Sequence, residues 1–145
     1  MGIKWVAAIV VMAGCASQAA PVAEPGDGSP PELGSSLNVR VVEDTVLLEL
    51  HVTNVASSPI ELEFTTTQRY DFEIATRDGE SVWRWSAARS FGQALGSERL
   101  EPGESRSYSA SWPSGGSAGE FIATGWVVSQ TYPVELRTGF RLPAE

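Results

Sequence analysis

Residues 37–52 read LNVRVVEDTVLLELHV. Apolar and polar residues alternate on both sides of a short acidic break. Leu37, Val39 and Val41 alternate with Asn38 and Arg40. After Glu43-Asp44-Thr45, Val46, Leu48, Leu50 and Val52 share one face, and Glu49, His51 and Thr53 share the other. Successive side chains of an extended chain point to opposite sides, so a period of two marks a strand with one face in a core and one in water. Two such runs around a break predict an antiparallel strand pair.

The same period continues outward. Pro59 opens a third run, with Ile60, Leu62 and Phe64 inward and Glu61 and Glu63 outward. Tyr70, Phe72 and Ile74 alternate with Asp71 and Glu73. Asp78-Gly79 is a strong hairpin signal, and Pro102-Gly103 reads as a second tight turn. Tyr108, Ala110 and Trp112 alternate with serines and Arg106. Residues 121–128 are more continuously apolar, as a central strand would be, and Val134, Leu136 and Phe140 alternate with Glu135 and Arg137. No helical stripe and no internal repeat interrupts the pattern. The prediction is an all-β domain, an antiparallel sandwich of about 7–9 strands.

The chain begins differently. Lys4 is followed by an apolar run from Trp5 to Ala13, then by Gly14 and the only cysteine, Cys15. A charged start, a short apolar segment and small residues before a cut form an export signal. The run is roughly nine residues, too short for a span that needs about 20. Met12-Ala13-Gly14-Cys15 resembles the lipobox of bacterial lipoproteins, in which the cysteine is lipidated and becomes the new amino terminus. That resemblance implies a signal peptide over residues 1–14, a lipidated Cys15 and, from the Pro/Gly/Ser-rich composition, a flexible tether over residues 15–36. The folded domain is expected over residues 37–145. With Cys15 consumed, no thiol remains for a disulfide or a metal. Ala16 rather than aspartate follows the cysteine; in diderm bacteria that pattern resembles lipoproteins sent on to the outer membrane.

The full chain carries 18 Asp+Glu against 10 Lys+Arg, a net charge of -8. Lys4 is the one lysine, so removing the signal leaves 18 acids against nine arginines, a net charge of -9. Such a surface excludes the basic patch expected of a nucleic-acid binder and electrostatic docking on anionic lipid. No catalytic set emerges. His51, the lone histidine, falls on an outward strand face and reads as solvated or paired across strands rather than as part of a triad. A zinc site wants three or four ligands, and the acids lack calcium-loop spacing. Glu61 with Glu63, and Asp71 with Glu73, read as outward acids rather than a glycosidase pair. No metal or cofactor is expected. Trp83 and Trp85 fall on the same face of their strand, with Arg84 opposite, either as a core corner or as an exposed aromatic platform.

Several pieces then fall in a recognisable order: VTN, SPIELEFTTTQRYDFEI, DGESVWRWS, SFGQAL and LEPGES. Together they resemble the BsuPI family, named for an intracellular proteinase inhibitor of Bacillus, over residues 37–128. Asn54 matches the end of the second strand. Phe64, Gln68, Tyr70, Asp71 and Phe72 match the corner that follows. Gly79, Trp83 and Ser86 match the hairpin, Phe91 and Gln93 the next loop, and Pro102 with Gly103 the turn. The resemblance implies an immunoglobulin-like sandwich and binding to a serine proteinase. The matched residues are read as fold determinants, and no reactive loop is carried over. The long connections are residues 86–98 and 113–119. The first offers Phe91 and Leu95 to a partner's apolar pocket, although Phe91 could equally plug the sandwich edge.

The expected role is therefore non-catalytic. One reading is a lipid-anchored domain of the cell envelope that binds another protein. A second is a serine proteinase inhibitor acting outside the cytoplasm, and a third is a module binding polysaccharide or a small ligand through exposed aromatics.

Overall fold

The structure, a computed structural model, describes residues 32–144. The expected signal peptide, the expected lipidation at Cys15 and the expected tether up to residue 31 lie outside the described residues. Among the described residues nine strands form in chain order: β1 Leu33–Val42, β2 Thr45–Asn54, β3 Ile60–Phe64, β4 Tyr70–Thr76, β5 Ser81–Arg84, β6 Gly96–Leu100, β7 Ser105–Pro113, β8 Gly119–Val127 and β9 Val134–Leu142. A single 3₁₀ turn, Trp85–Ala88, follows β5. Every strand pair is antiparallel. The fold is the all-β immunoglobulin-like sandwich that the alternating pattern and the resemblance implied.

One layer has the order β1-β2-β7 and the other β5-β4-β8-β9, with β3-β6 as a two-stranded ribbon. Residues 37–52 form the hairpin expected of them, closed at Glu43-Asp44, where Glu43 takes φ 53. β1 starts at Leu33, four residues before the expected domain boundary at residue 37. Leu33 is buried, and Gly34, Ser35 and Ser36 pair with Thr53, Val52 and His51. Small polar residues hid this segment, because nothing in GSS alternates.

The two layers meet through residues whose spacing already marked them. Val46, Leu48, Leu50 and Val52 of β2 are buried against Phe72, Ile74, Phe121, Ala123 and Val127. Tyr108 of β7 stacks on Tyr70 of β4 at 5.0 Å, and Trp112 meets Phe121 edge-on at 5.8 Å. β8 lies between β4 and β9, which explains its continuous apolar run. Gly125 on that strand is needed for close approach. A Cβ there would stand 3.2 Å from Phe72 Cε1 and 3.3 Å from Leu37 Cδ1. Gly125→Val should therefore destabilise the domain by roughly 1–3 kcal/mol, the usual cost of overpacking; chemical denaturation would measure it.

The ribbon is fastened to the sandwich by the segment after β8. The Gln130 N–H donates to the Glu63 carbonyl at 2.7 Å, and the Thr131 hydroxyl donates to the Glu61 carbonyl at 2.7 Å. Both tight turns form as read. Gly79 takes φ 93 in the β4–β5 hairpin, and Gly103 takes φ 80 after Pro102, in the left-handed region that glycine occupies without strain.

Candidate functional site

The connection from β5 to β6 leaves the sheet at Trp85, makes one 3₁₀ turn, and returns through residues 89–95. Trp83 and Trp85 thus do not continue one strand face. Trp83 stays on β5 opposite Ile74, while Trp85 enters the turn. Both are partly buried against the core. Trp85 sits in a file of four rings. It stacks on Tyr70 at 4.3 Å, Tyr70 stacks on Tyr108 at 5.0 Å, and Phe91 leans on Trp85 at 5.9 Å. The Arg89 guanidinium also lies over the Trp85 ring, 4.3 Å from its centre. Both rings pack on the core, and both also border an open groove.

What holds the turn is Asp71, which the period-two reading placed outward in water. Its side chain is only 4 % exposed. One carboxylate oxygen accepts the Phe72 N–H at 2.9 Å and the Ser86 N–H at 3.1 Å. The other accepts Arg84 Nε at 2.8 Å and the Ser86 hydroxyl at 2.7 Å. Arg84 also lies 4.8 Å over Trp126 and 3.7 Å from a Glu73 oxygen. The outer face of β4 is therefore roofed at Asp71 by the turn that follows β5. A burial pattern read along one strand cannot show a roof supplied by another segment. The available signal was that Asp71 and Ser86 both fell on family-matched positions.

The loop beyond is held at its middle and ends. The Thr67 N–H donates to the Gly92 carbonyl at 3.0 Å, and the Gly92 N–H donates to the Thr67 hydroxyl at 2.9 Å. Arg89 leaves the turn in extended conformation, with φ -125 and ψ 154. Phe91 is half-buried on Trp85, so of its two readings the plug fits. Leu95 does the opposite. It is 87 % exposed, at the lip of a cleft of about 410 Å³ bordered by Glu63, Phe64 and Gln130. Gly96 follows because a Cβ there would come within 2.6 Å of Arg69 Nη2. Arg69 lies over the Phe64 ring at 4.3 Å and 3.6 Å from Glu98. Glu98 accepts the Tyr108 hydroxyl at 3.3 Å. Burial first, and the Glu98 carboxylate second, hold that phenol far above its usual pKa.

The other family-matched positions serve the frame. Asn54 is fully buried. Its amide donates to the carbonyls of Ser58 at 2.9 Å and Leu100 at 3.0 Å, and its oxygen accepts the Ala56 N–H at 2.9 Å. Gln68 donates to the Tyr70 carbonyl at 3.1 Å, and Phe72 is wholly buried. Gln93 is exposed on the loop. His51 lies on the outer face of β2. Its Nδ1 is 2.7 Å from the Ser107 hydroxyl on β7, and its Nε2 is 3.1 Å from Glu49. This is the cross-strand pairing expected of an outward histidine. Among the described residues no group of three or more His, Cys, Asp or Glu could hold a metal ion.

The described residues thus form an all-β sandwich whose long β5–β6 connection is fastened at Ser86 and Gly92 and exposes Leu95. The profile of the BsuPI family, described as intracellular proteinase inhibitor, matches residues 33–132, and the chain belongs to that family. The match begins where β1 begins. No curated protein matches the chain. Several solved structures are similar. A penta-heme cytochrome c552 from Thermochromatium tepidum aligns at a TM-score of 0.49 and 10 % identity, over 77 % of this chain and 40 % of its own. The putative ApaA protein from Bordetella pertussis aligns at 0.47 and 18 %, over 83 % of this chain and 98 % of its own. β-Glucosidase 3B from Thermotoga neapolitana aligns at 0.43 and 16 %, over 81 % of this chain and 16 % of its own. The chain thus spans less than half of the cytochrome and a small part of the glucosidase.

Proposed function

We propose that this chain is a lipid-anchored envelope protein whose sandwich acts without catalysis, by binding a serine proteinase outside the cytoplasm and inhibiting it. Family membership supports the proteinase as partner. The observation that carries the loop assignment is Leu95, an apolar side chain 87 % exposed beside a backbone that Thr67 and Asp71 fasten from below. A leucine offered to solvent on a fixed loop fits an apolar specificity pocket. A loop already ordered also spares the entropy that binding would otherwise cost. Phe91 serves this site from within, by seating the loop on Trp85.

The test is a residual-activity titration of a subtilisin with the full-length protein in detergent. Inhibition should saturate at equal molar amounts. Leu95→Asp should weaken it at least a hundredfold, because a buried unpaired charge would replace an apolar anchor, and should leave the melting temperature unchanged. Unaltered proteinase activity together with rapid cutting between residues 89 and 96 would refute the inhibitory reading.

The family description says intracellular, whereas residues 1–15 support export and lipidation at Cys15, on the membrane surface outside the cytoplasm and, in a diderm, in the periplasm-facing or outer membrane. An exported protein meets a different proteinase from a cytoplasmic one. Attached acyl chains are worth about 0.8 kcal/mol per buried methylene, so two or more make the anchor stable. Cys15→Ser should move the protein from the membrane to the soluble fraction on cell fractionation; unchanged retention on membranes would refute the anchor.

A further inference from the structure

β7 closes one side of the three-stranded sheet, and no described strand pairs with its outer edge. Its register against β2 is unbroken from Ser105 to Thr53 through Pro113 to Thr45. An edge strand presents free N–H and C=O groups that can template another strand, and proteins commonly blunt it with a lysine, an inward charge, a proline or a bulge. The central stretch Ser109, Ala110, Ser111 has none of these.

A groove of about 550 Å³ runs beside that stretch, and its far wall includes Trp83, Trp85 and Arg89. Successive side chains of a strand point to opposite faces. Three consecutive residues border one groove when it follows the backbone edge, and here they do. The wall opposite supplies apolar ring surface from the two tryptophans. It also supplies a cation. Arg69, Arg77, Arg84, Arg99 and Arg137 each have an acidic partner, whereas Arg89, like Arg40, Arg106 and Arg141, forms no ion pair among the described residues; of these four it is the one that borders the groove, where it rests on the Trp85 ring.

We propose that this groove receives an extended peptide strand of a partner protein, which adds to the open edge of β7 and sets an acidic side chain against Arg89. Main-chain hydrogen bonds to the alternate β7 residues whose N–H and C=O groups face away from β2 give the affinity, and the tryptophan wall with Arg89 gives the choice of side chains. The surface is separate from Leu95, which borders the cleft at Glu63, Phe64 and Gln130.

The test uses the full-length protein in detergent and a fluorescent peptide of alternating threonine and valine with a central glutamate. Three companions isolate the contacts: the same peptide with central lysine, the glutamate peptide N-methylated along one edge, and the glutamate peptide methylated along the other. The glutamate peptide should bind saturably and slow exchange of the β7 amides around Ala110 that face away from β2. One methylated form should lose binding while the other keeps it, because only one edge faces β7. Arg89→Glu, an exposed substitution, should weaken the glutamate peptide about tenfold and favour the lysine peptide. Leu95→Asp should leave all these affinities unchanged, so the result is independent of the proteinase reading. No saturable binding, equal binding of all methylated forms, or protection confined to another strand would each overturn the proposal.

Discussion

Asp71→Ala is expected to lower the stability of the domain by about 3 kcal/mol, because a buried carboxylate that accepts four hydrogen bonds is lost at once. The Ser86 N–H and hydroxyl and the Phe72 N–H then lack their acceptor. Arg84 is nearly half exposed and can return to water, so the loss falls mainly on the turn. For a domain of this size the melting temperature should fall by on the order of 10 °C. The effect reaches the candidate site. Ser86 no longer anchors the turn that carries Trp85, and Phe91 loses a fixed ring to lean on. Proteolysis of loop 89–95 should accelerate more than global unfolding alone requires. Asp71→Asn keeps one oxygen for the two N–H groups and should recover part of the stability. A loss below 1 kcal/mol for Asp71→Ala, by urea denaturation, would contradict the role given to this carboxylate.

Asn54→Ala is the second large effect, at about 2–3 kcal/mol. Three hydrogen bonds from one buried amide tie the end of β2 to Ser58, Ala56 and Leu100. Alanine leaves the Leu100 carbonyl without its donor in the buried interior, at a cost of about 1 kcal/mol or more, and removes the part-buried bonds to the Ser58 carbonyl and the Ala56 N–H, whose loss adds to it. The neighbouring backbone bonds, Asn54 N–H to the Glu104 carbonyl and Gly103 N–H to the Asn54 carbonyl, survive the change. Hydrogen exchange should therefore quicken first across β3 and β6, while β2 keeps its pairing with β1 and β7. Uniform quickening across all strands would contradict this local role. The Asp71 and Asn54 sites share no partner, so the double variant should lose close to the sum of the two.

Much of this architecture was readable before any coordinates. Leu37 to Val52 gave a hairpin whose inward face is buried along β2, while in β1 Leu37 and Val39 pack on the core and Val41, near the hairpin end, is 37 % exposed; the more continuously apolar run of β8 marked a strand flanked by β4 and β9. Asp78-Gly79 and Pro102-Gly103 closed turns where turn chemistry required them. The strand 33–36 escaped notice because Gly34, Ser35 and Ser36 carry no hydrophobic signal; they join the sheet by pairing with Thr53, Val52 and His51. The site was less legible. Asp71 alternates with buried residues and so reads as wet. It is dry because Arg84 and Ser86 fold back over it, a relation set by the β4–β5 pairing and the 3₁₀ turn. Phe91 and Leu95 lie four residues apart in one loop and look alike in sequence. Only the position of Trp85 separates the ring that anchors the loop from the leucine that leaves it. Arg89 and the bare edge of β7 carry no motif; they become visible when the two layers bring them to one groove.

The most direct measurement is amide hydrogen exchange on the full-length protein with and without a subtilisin whose catalytic serine is replaced by alanine, so that binding is read without cutting. Protection concentrated in residues 89–96, absent for Leu95→Asp, is the expected result. Unchanged exchange in that loop at saturating proteinase, with or without protection elsewhere, would contradict the assignment of Leu95 and its fastened loop as the inhibitory contact.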